Sequence, residues 1–227
     1  MKYKFIKEGC LKRARTGMMV IISVVLFVVP CLLYAQEPGD TLWTRTYGGS
    51  ESDQANCVQQ TTDGGYIVVG FTASYGASYD IYLVKTDASG DTLWTRTYGG
   101  NFSDSGASVQ QTADGGYVTT GSTQSFGAGS YDAYLVKTDA DGDTPHNPNQ
   151  LGERTYGGSS GDFGISIRQT TDGGYIIAGK TSSFGAGSQD IYLVKIDSDG
   201  DTLWTRAYGG SNIDGAYSIQ QTSDGTY

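Results

Sequence analysis

The stretch Asp91-Thr92-Leu93-Trp94-Thr95-Arg96-Thr97-Tyr98-Gly99-Gly100 recurs as near-copies beginning at Asp40, Asp143 and Asp201. The anchoring tyrosines, Tyr47, Tyr98, Tyr156 and Tyr208, are spaced by 51, 58 and 52 residues. A period this regular means one supersecondary unit laid down repeatedly. The third copy is six residues longer than its siblings and lacks the tryptophan: Pro145–Glu153 stands where the others have Leu-Trp-Thr. The interval of 51 reflects a shorter loop, SYGASYD (74–80) against SFGAGSYD (125–132). Length changes therefore sit in connections, as expected when strands are fixed.

Working outward, each unit reads as two hairpins. The first is ANCVQQT-TDGG-YIVVGFT (55–72), echoed at 107–123 and 165–181. Its Asp-Gly-Gly is a tight-turn signal, because these residues tolerate positive φ. The second hairpin is DIYLVKT-DASGD-TLWTRTY (80–98), with its turn repeated as DADGD (139–143) and DSDGD (197–201). A Ser/Gly/Ala/aromatic loop joins the two. Along Tyr66–Phe71 and Ile81–Val84 both faces are apolar, so these strands require cover on both sides. Sheets stacked on their own duplicates supply that cover. No window holds a helical period, and 32 glycines among the 192 residues after Ala35 would penalise helix.

The fold class is thus all-β. A four-stranded unit of about 52 residues suits a β-propeller blade better than a β-helix rung. The expected organisation is a signal peptide over 1–35 and a propeller repeat domain over 36–227. Within the latter lie a lone strand at 40–49, repeats at about 50–100, 101–158 and 159–210, and a partial repeat at 211–227. Three units plus fragments predict an incomplete ring, truncated relative to a longer protein. The other reading is a strained four-bladed ring or an open stack with an exposed edge.

The run D-x-Y-L-V-K-T-D-x-x-G-D-T-L-W-T-R-T-Y-G-G, with Q-Q-T-x-D-G-G-Y-I before it, resembles the tandem propeller-type repeats of secreted and cell-surface proteins of bacteria and archaea. The resemblance covers nearly all of 40–227. It implies extracellular placement, about seven blades and often a C-terminal sorting or anchoring module. Labels in that family drift toward quinoprotein-like or lectin-like propellers, and no ligand motif here matches either.

The first 35 residues stand outside the pattern. Lys2, Lys4, Lys7, Lys12, Arg13 and Arg15 precede an almost wholly apolar run from Gly17 to Tyr34. This reads as a secretory signal peptide cleaved after Ala35. A retained membrane anchor is the alternative, since about eighteen apolar residues can span a bilayer. A lipoprotein reading through Cys31 is opposed by Pro30. Without the leader the chain carries 9 basic and 23 acidic residues, a net −14. Such a surface repels nucleic acid and anionic lipid, so the membrane is met only during export or through an uncleaved anchor. Cys57 then remains alone, and Ser108 and Ser166 replace it in sibling units. It reads as a small packing residue rather than a nucleophile.

The turn aspartates Asp139, Asp141, Asp143, Asp197, Asp199 and Asp201, with Asp87 and Asp91 in a thinner copy, offer alternating carboxylates for calcium. Turn formation alone also explains them. Trp43, Trp94 and Trp204 suit sugar stacking or, being repeated, packing between blades. Tyr75, Phe126 and Phe184 sit in loops, either contacting a partner or folding back as plugs. His146, the single histidine, lies in the insertion (144–153), where one unit departs from its siblings. No zinc cluster, nucleophile elbow or phosphate loop is present, and no carboxylate spacing selects a pair for glycoside hydrolysis. These readings predict a secreted, non-enzymatic scaffold meeting an extracellular protein or glycan at the cell surface, without a cofactor unless calcium. The alternatives are a glycan-acting or quinone-dependent propeller enzyme and a calcium-stabilised adhesin.

Overall fold

The turn Thr61–Gly65 shows how each hairpin is made. Gly64 adopts φ 84°, its N–H donates to Thr61 O at 2.9 Å, and Thr61 N–H donates to Gly65 O at 2.9 Å. A side chain at Gly64 would carry the steric cost of the left-handed region. The same geometry recurs at Gly115 and Gly173. These turns join β1 (Asp53–Gln60) to β2 (Tyr66–Thr72), β5 (Asp104–Gln111) to β6 (Tyr117–Thr123), and β9 (Asp162–Gln169) to β10 (Tyr175–Thr181).

The second hairpins pair β3 (Asp80–Thr86) with β4 (Thr92–Tyr98), β7 (Asp132–Thr138) with β8 (Glu153–Tyr156), and β11 (Asp190–Ile196) with β12 (Thr202–Tyr208). In this computed structural model residues 41–147 and 150–227 are described; among them are three antiparallel sheets of four strands and no helix. Strand order within each sheet follows chain order, β1 to β4, β5 to β8 and β9 to β12, and no sheet closes on itself. The proposed signal peptide over 1–35 lies outside the described residues.

Duplicate sheets cover both faces of the second sheet and one face each of the first and third. Ile67, Val69, Ile81 and Leu83 of the first sheet pack with Val109, Tyr117, Tyr134 and Val136 of the second. The second sheet's other face, Val118, Ala133 and Leu135, packs with Ile167, Tyr175, Ile177, Tyr192 and Val194 of the third. Every residue of β7 is buried. Beyond the third sheet, Ile176 and Ala178 are covered by Ala216 and Ile219.

The lone strand expected over 40–49 is absent among the described residues 41–49. Residues 41–49 form no ladder, and within 211–227 only Ile213 makes a bridge, to Gln189. A strand exists only where a ladder pairs it; Ala216 N–H donates to Gly179 O of β10 at 3.1 Å, but neither segment forms a ladder with a described strand. Residues 41–49 nevertheless make the contacts that β4 makes one unit later. Trp43 meets the ring of Tyr66 edge-on, and Tyr47 Oη donates to Gly90 O at 2.8 Å. Fourth-strand chemistry is kept without fourth-strand pairing.

Candidate functional site

The site begins with the seam between sheets. In the first seam, Trp94 on β4 lies edge-on to Tyr117 of the second sheet, with ring centroids 5.7 Å apart. A Cβ on Gly142 would stand 2.9 Å from the Trp94 ring. Tyr98 Oη donates to Gly142 O, and Arg96 Nε donates to Asp143 Oδ1 at 3.0 Å. The repeated tryptophan is therefore a seam residue; Trp43 on Tyr66 and Trp204 near Tyr227 take the same pose.

In the second seam the insertion rewrites this arrangement. Leu151 is buried in the core and stands where the tryptophan would, with Cδ1 2.5 Å from a Cβ position on Gly200. Tyr156 Oη still donates to Gly200 O at 2.9 Å. The longer connection shortens the fourth strand to four residues. Glu153, in register with Val136 as Thr95 is with Val84, accepts a bond from Tyr134 Oη. Burial, and then that carboxylate, push the Tyr134 phenol well above its ordinary range.

Lifting the chain off the sheet opens a cleft of about 660 Å³. Its walls include Thr144, Pro145, His146, Gln150 and Leu151 of the insertion, Asp139 and Asp143 of the second sheet's turn, Ser198 and Asp199 of the third sheet's turn, and Asp114 and Lys137. Of the residues singled out in sequence, Asp139, Asp143, Asp199 and His146 are thus brought together. Asp141, Asp197 and Asp201 are not among the lining residues. Asp114, Lys137, Gln169 and Tyr175 join the wall without having been singled out. The repeated Thr-x-Asp-Gly-Gly and Val-Lys strings were the available signal, since each pairs a turn aspartate with a third-strand lysine.

Several of these carboxylates are already engaged. Asp139 Oδ1 accepts the N–H groups of Asp141 and Asp143, each at 2.9 Å. Asp197 Oδ1 likewise takes those of Asp199 at 3.0 Å and Asp201 at 2.9 Å. Buried Lys137 donates to Asp114 Oδ2 at 2.9 Å, as Lys85 does to Asp63 Oδ2 at 2.8 Å. The Lys85 bond, aided by Thr61, holds the Asp63 carboxyl down at about 2. Thr170 and then Lys195 do the same for Asp172, also about 2. Among the described residues no three His, Cys, Asp or Glu side chains gather as metal ligands. What remains open to a ligand is a polar, acid-rich surface with histidine and glutamine amides at its rim.

The loop aromatics fold back and remain half exposed. Tyr75, Phe126 and Phe184 lie on Tyr82, Tyr134 and Tyr192 with centroids 5.5, 5.7 and 5.6 Å apart. Cys57, half-buried, packs against the first seam's core.

No family model matches this chain, and no curated protein matches it. Among solved structures it is similar to a protein of unknown function from Bacteroides caccae, with a TM-score of 0.41 and 12% identity over 76% of this chain. The chain spans 51% of that protein's length. No helix among the described residues is long and apolar enough to cross a membrane.

Proposed function

We propose that this protein is a secreted, non-enzymatic scaffold of β-propeller type that holds an extracellular protein or glycan at the cell surface. The three sheets are its blades, related to the tandem repeats of bacterial and archaeal surface proteins, and the insertion cleft is the point of recognition. The observation that carries the reading is asymmetry. Residues 144–153 are where one unit departs from otherwise matching seams, and this departure opens the cleft. Of its carboxylates, Asp139 is committed to backbone amides, Asp143 to Arg96 and Asp114 to Lys137. Acids held this way shape a surface rather than move protons. The exposed balance of charge suits a polar partner that is neutral or basic, bound through hydrogen bonds to Gln150, His146 and Asp199.

The test replaces Pro145–Glu153 by Leu-Trp-Thr, the sibling sequence, which restores a regular fourth strand. The trimmed and parent proteins are compared on a glycan array and by interferometry against surface proteins of the source cells. Binding that disappears on trimming supports the reading. Binding that persists unchanged places recognition elsewhere and defeats it.

A further inference from the structure

Each seam also carries two aspartates that meet across it. Asp80 opens β3 and Asp104 opens β5; Asp132 opens β7 and Asp162 opens β9. Asp190, opening β11, meets Asp214 in the same way. A Cβ on Gly99 would stand 2.2 Å from Asp80 Oδ1 and 2.5 Å from Asp104 Oδ2. On Gly157 the distances are 2.2 Å to Asp132 Oδ1 and 2.7 Å to Asp162 Oδ2; on Gly209 they are 2.1 Å to Asp190 Oδ1 and 2.7 Å to Asp214 Oδ2. At Gly99, Gly157 and Gly209 the first glycine of Tyr-Gly-Gly is thus required because two carboxylates from neighbouring units converge where its side chain would be.

Five of these acids are buried, Asp80 at 7% exposed, Asp132 at 2%, Asp104 and Asp190 at 1% and Asp162 at 0%, while Asp214 is half-buried. Asp80 Oδ1, Asp104 Oδ1, Asp162 Oδ1 and Asp190 Oδ1 have no hydrogen-bond partner. The five ion pairs among the described residues use other aspartates. Two buried like charges without a counterion are strongly unfavourable. One shared proton would still leave a net negative charge in each seam, whereas one divalent cation balances the pair. Beside the Asp132/Asp162 pair, Gly129, whose N–H donates to Asp132 Oδ2, faces Ser160 O and Gly158 O, at 2.2 and 2.7 Å from its Cβ position.

We propose that each aspartate pair holds a hard divalent cation of the calcium class, between consecutive sheets for Asp80/Asp104 and Asp132/Asp162 and between the third sheet and the 211–227 segment for Asp190/Asp214. Carbonyl oxygens and water complete the oxygen-rich coordination such an ion takes. The site is distinct from the turn aspartates: Asp104, Asp162 and Asp190 bind backbone amides through Oδ2, and each keeps a buried Oδ1 without a partner. It would tie one sheet to the next at the end of the strands opposite the Asp-Gly-Gly turns.

The test titrates calcium chloride into the chelator-treated protein by calorimetry, with thermal melts in 1 mM calcium and in EDTA. The parent protein should bind two or three ions per chain and melt roughly 5 °C or more higher in calcium. Asp104→Asn and Asp162→Asn should each remove one site and part of that shift. Asp141→Asn and Asp199→Asn should leave both unchanged. An absence of heat and of any melting shift in the parent protein overturns the proposal, with no variant needed. A shift abolished by the turn variants, or one that survives loss of both seam aspartates, also overturns it. So does a protein indifferent to calcium that gains stability in EDTA as the pH falls from 7 to 5, since that is the signature of a shared proton.

Discussion

The two interior seams fill one role with different residues. Between the first and second sheets, Trp94 lies over Gly142 and Tyr117, and Arg96 reaches Asp143. Between the second and third, Leu151 occupies the tryptophan's place over Gly200. The tyrosine-to-glycine bond is common to both. What the seam requires is therefore apolar volume over the turn glycine and one hydroxyl donor beneath it. The indole itself is dispensable, and dispensing with it lets the second unit leave the sheet early and build a cleft.

The largest expected effect tests that equivalence directly. Leu151→Ala should destabilise by about 3 kcal/mol, through lost burial plus a cavity. Trp94→Ala, at a half-buried position, should cost about 2 kcal/mol on the same basis. Urea midpoints at constant m-value measure both. A silent Leu151→Ala would mean that the insertion does not replace the indole.

Next comes a contrast in the loops above the seams. Asp132 Oδ2 accepts amides from Ala128 and Gly129, at 2.9 and 3.1 Å. The loop before Asp80 is one residue shorter. Desolvation, and then the charge of Asp104, raise the Asp80 carboxyl above its ordinary value. In chelator at neutral pH, Asp132→Asn should lose about 1 kcal/mol. Asp80→Asn should be neutral or stabilising, because an ionised, desolvated carboxylate is removed. Paired thermal melts decide it, and equal losses at both positions would erase the distinction.

A pH scan isolates the acids of the Asp-Gly-Gly turns. Asp63 and Asp172 have folded values near 2, below the unfolded value. Their contribution is present above about pH 4 and is lost as pH falls toward 2. Asp172→Asn should flatten that part of the stability profile. Denaturant midpoints measured between pH 2 and 5 provide the check. Since both carboxylates are more than half exposed, solvent screening keeps the effect small.

The smallest effect lies at the surface. Arg96→Gln should cost about 0.5 kcal/mol and less at high salt, as expected for an exposed ion pair. Arg154, whose guanidinium turns back to Glu153 O at 2.9 Å, should tolerate the same change without loss. A double-mutant cycle of Arg96 with Asp143 isolates the term.

Much of the fold could be read from the chain because hairpins are local. Thr61–Gly65 contains its own turn chemistry, while the cover expected on both faces of Tyr66–Phe71 is met on one, where Ile67 and Val69 pack on the second sheet, and Tyr66, Val68 and Phe71 stay half-buried. The tryptophans' seam role could be read from their repetition. The strand expected over 40–49 failed for a physical reason: pairing needs a neighbour, which no pattern within the segment can supply. Leu151 could not be identified as a stand-in, since its sequence neighbours are loop residues and its partner, Gly200, lies far along the chain. The aspartate pairs were hidden likewise. Asp80 and Asp104 each look like an unremarkable strand-opening residue.

The repeating string by itself determined all-β structure, four strands to a unit, and the placing of length variation in connections. Those properties follow from backbone turns and side-chain alternation, which act over a few residues. Tertiary structure alone decided which carboxylates would be buried face to face, which leucine would replace an indole, and where the insertion would open a cleft. These depend on atoms from different sheets arriving within a few ångströms of one another, and such proximity is set by packing rather than by order along the chain.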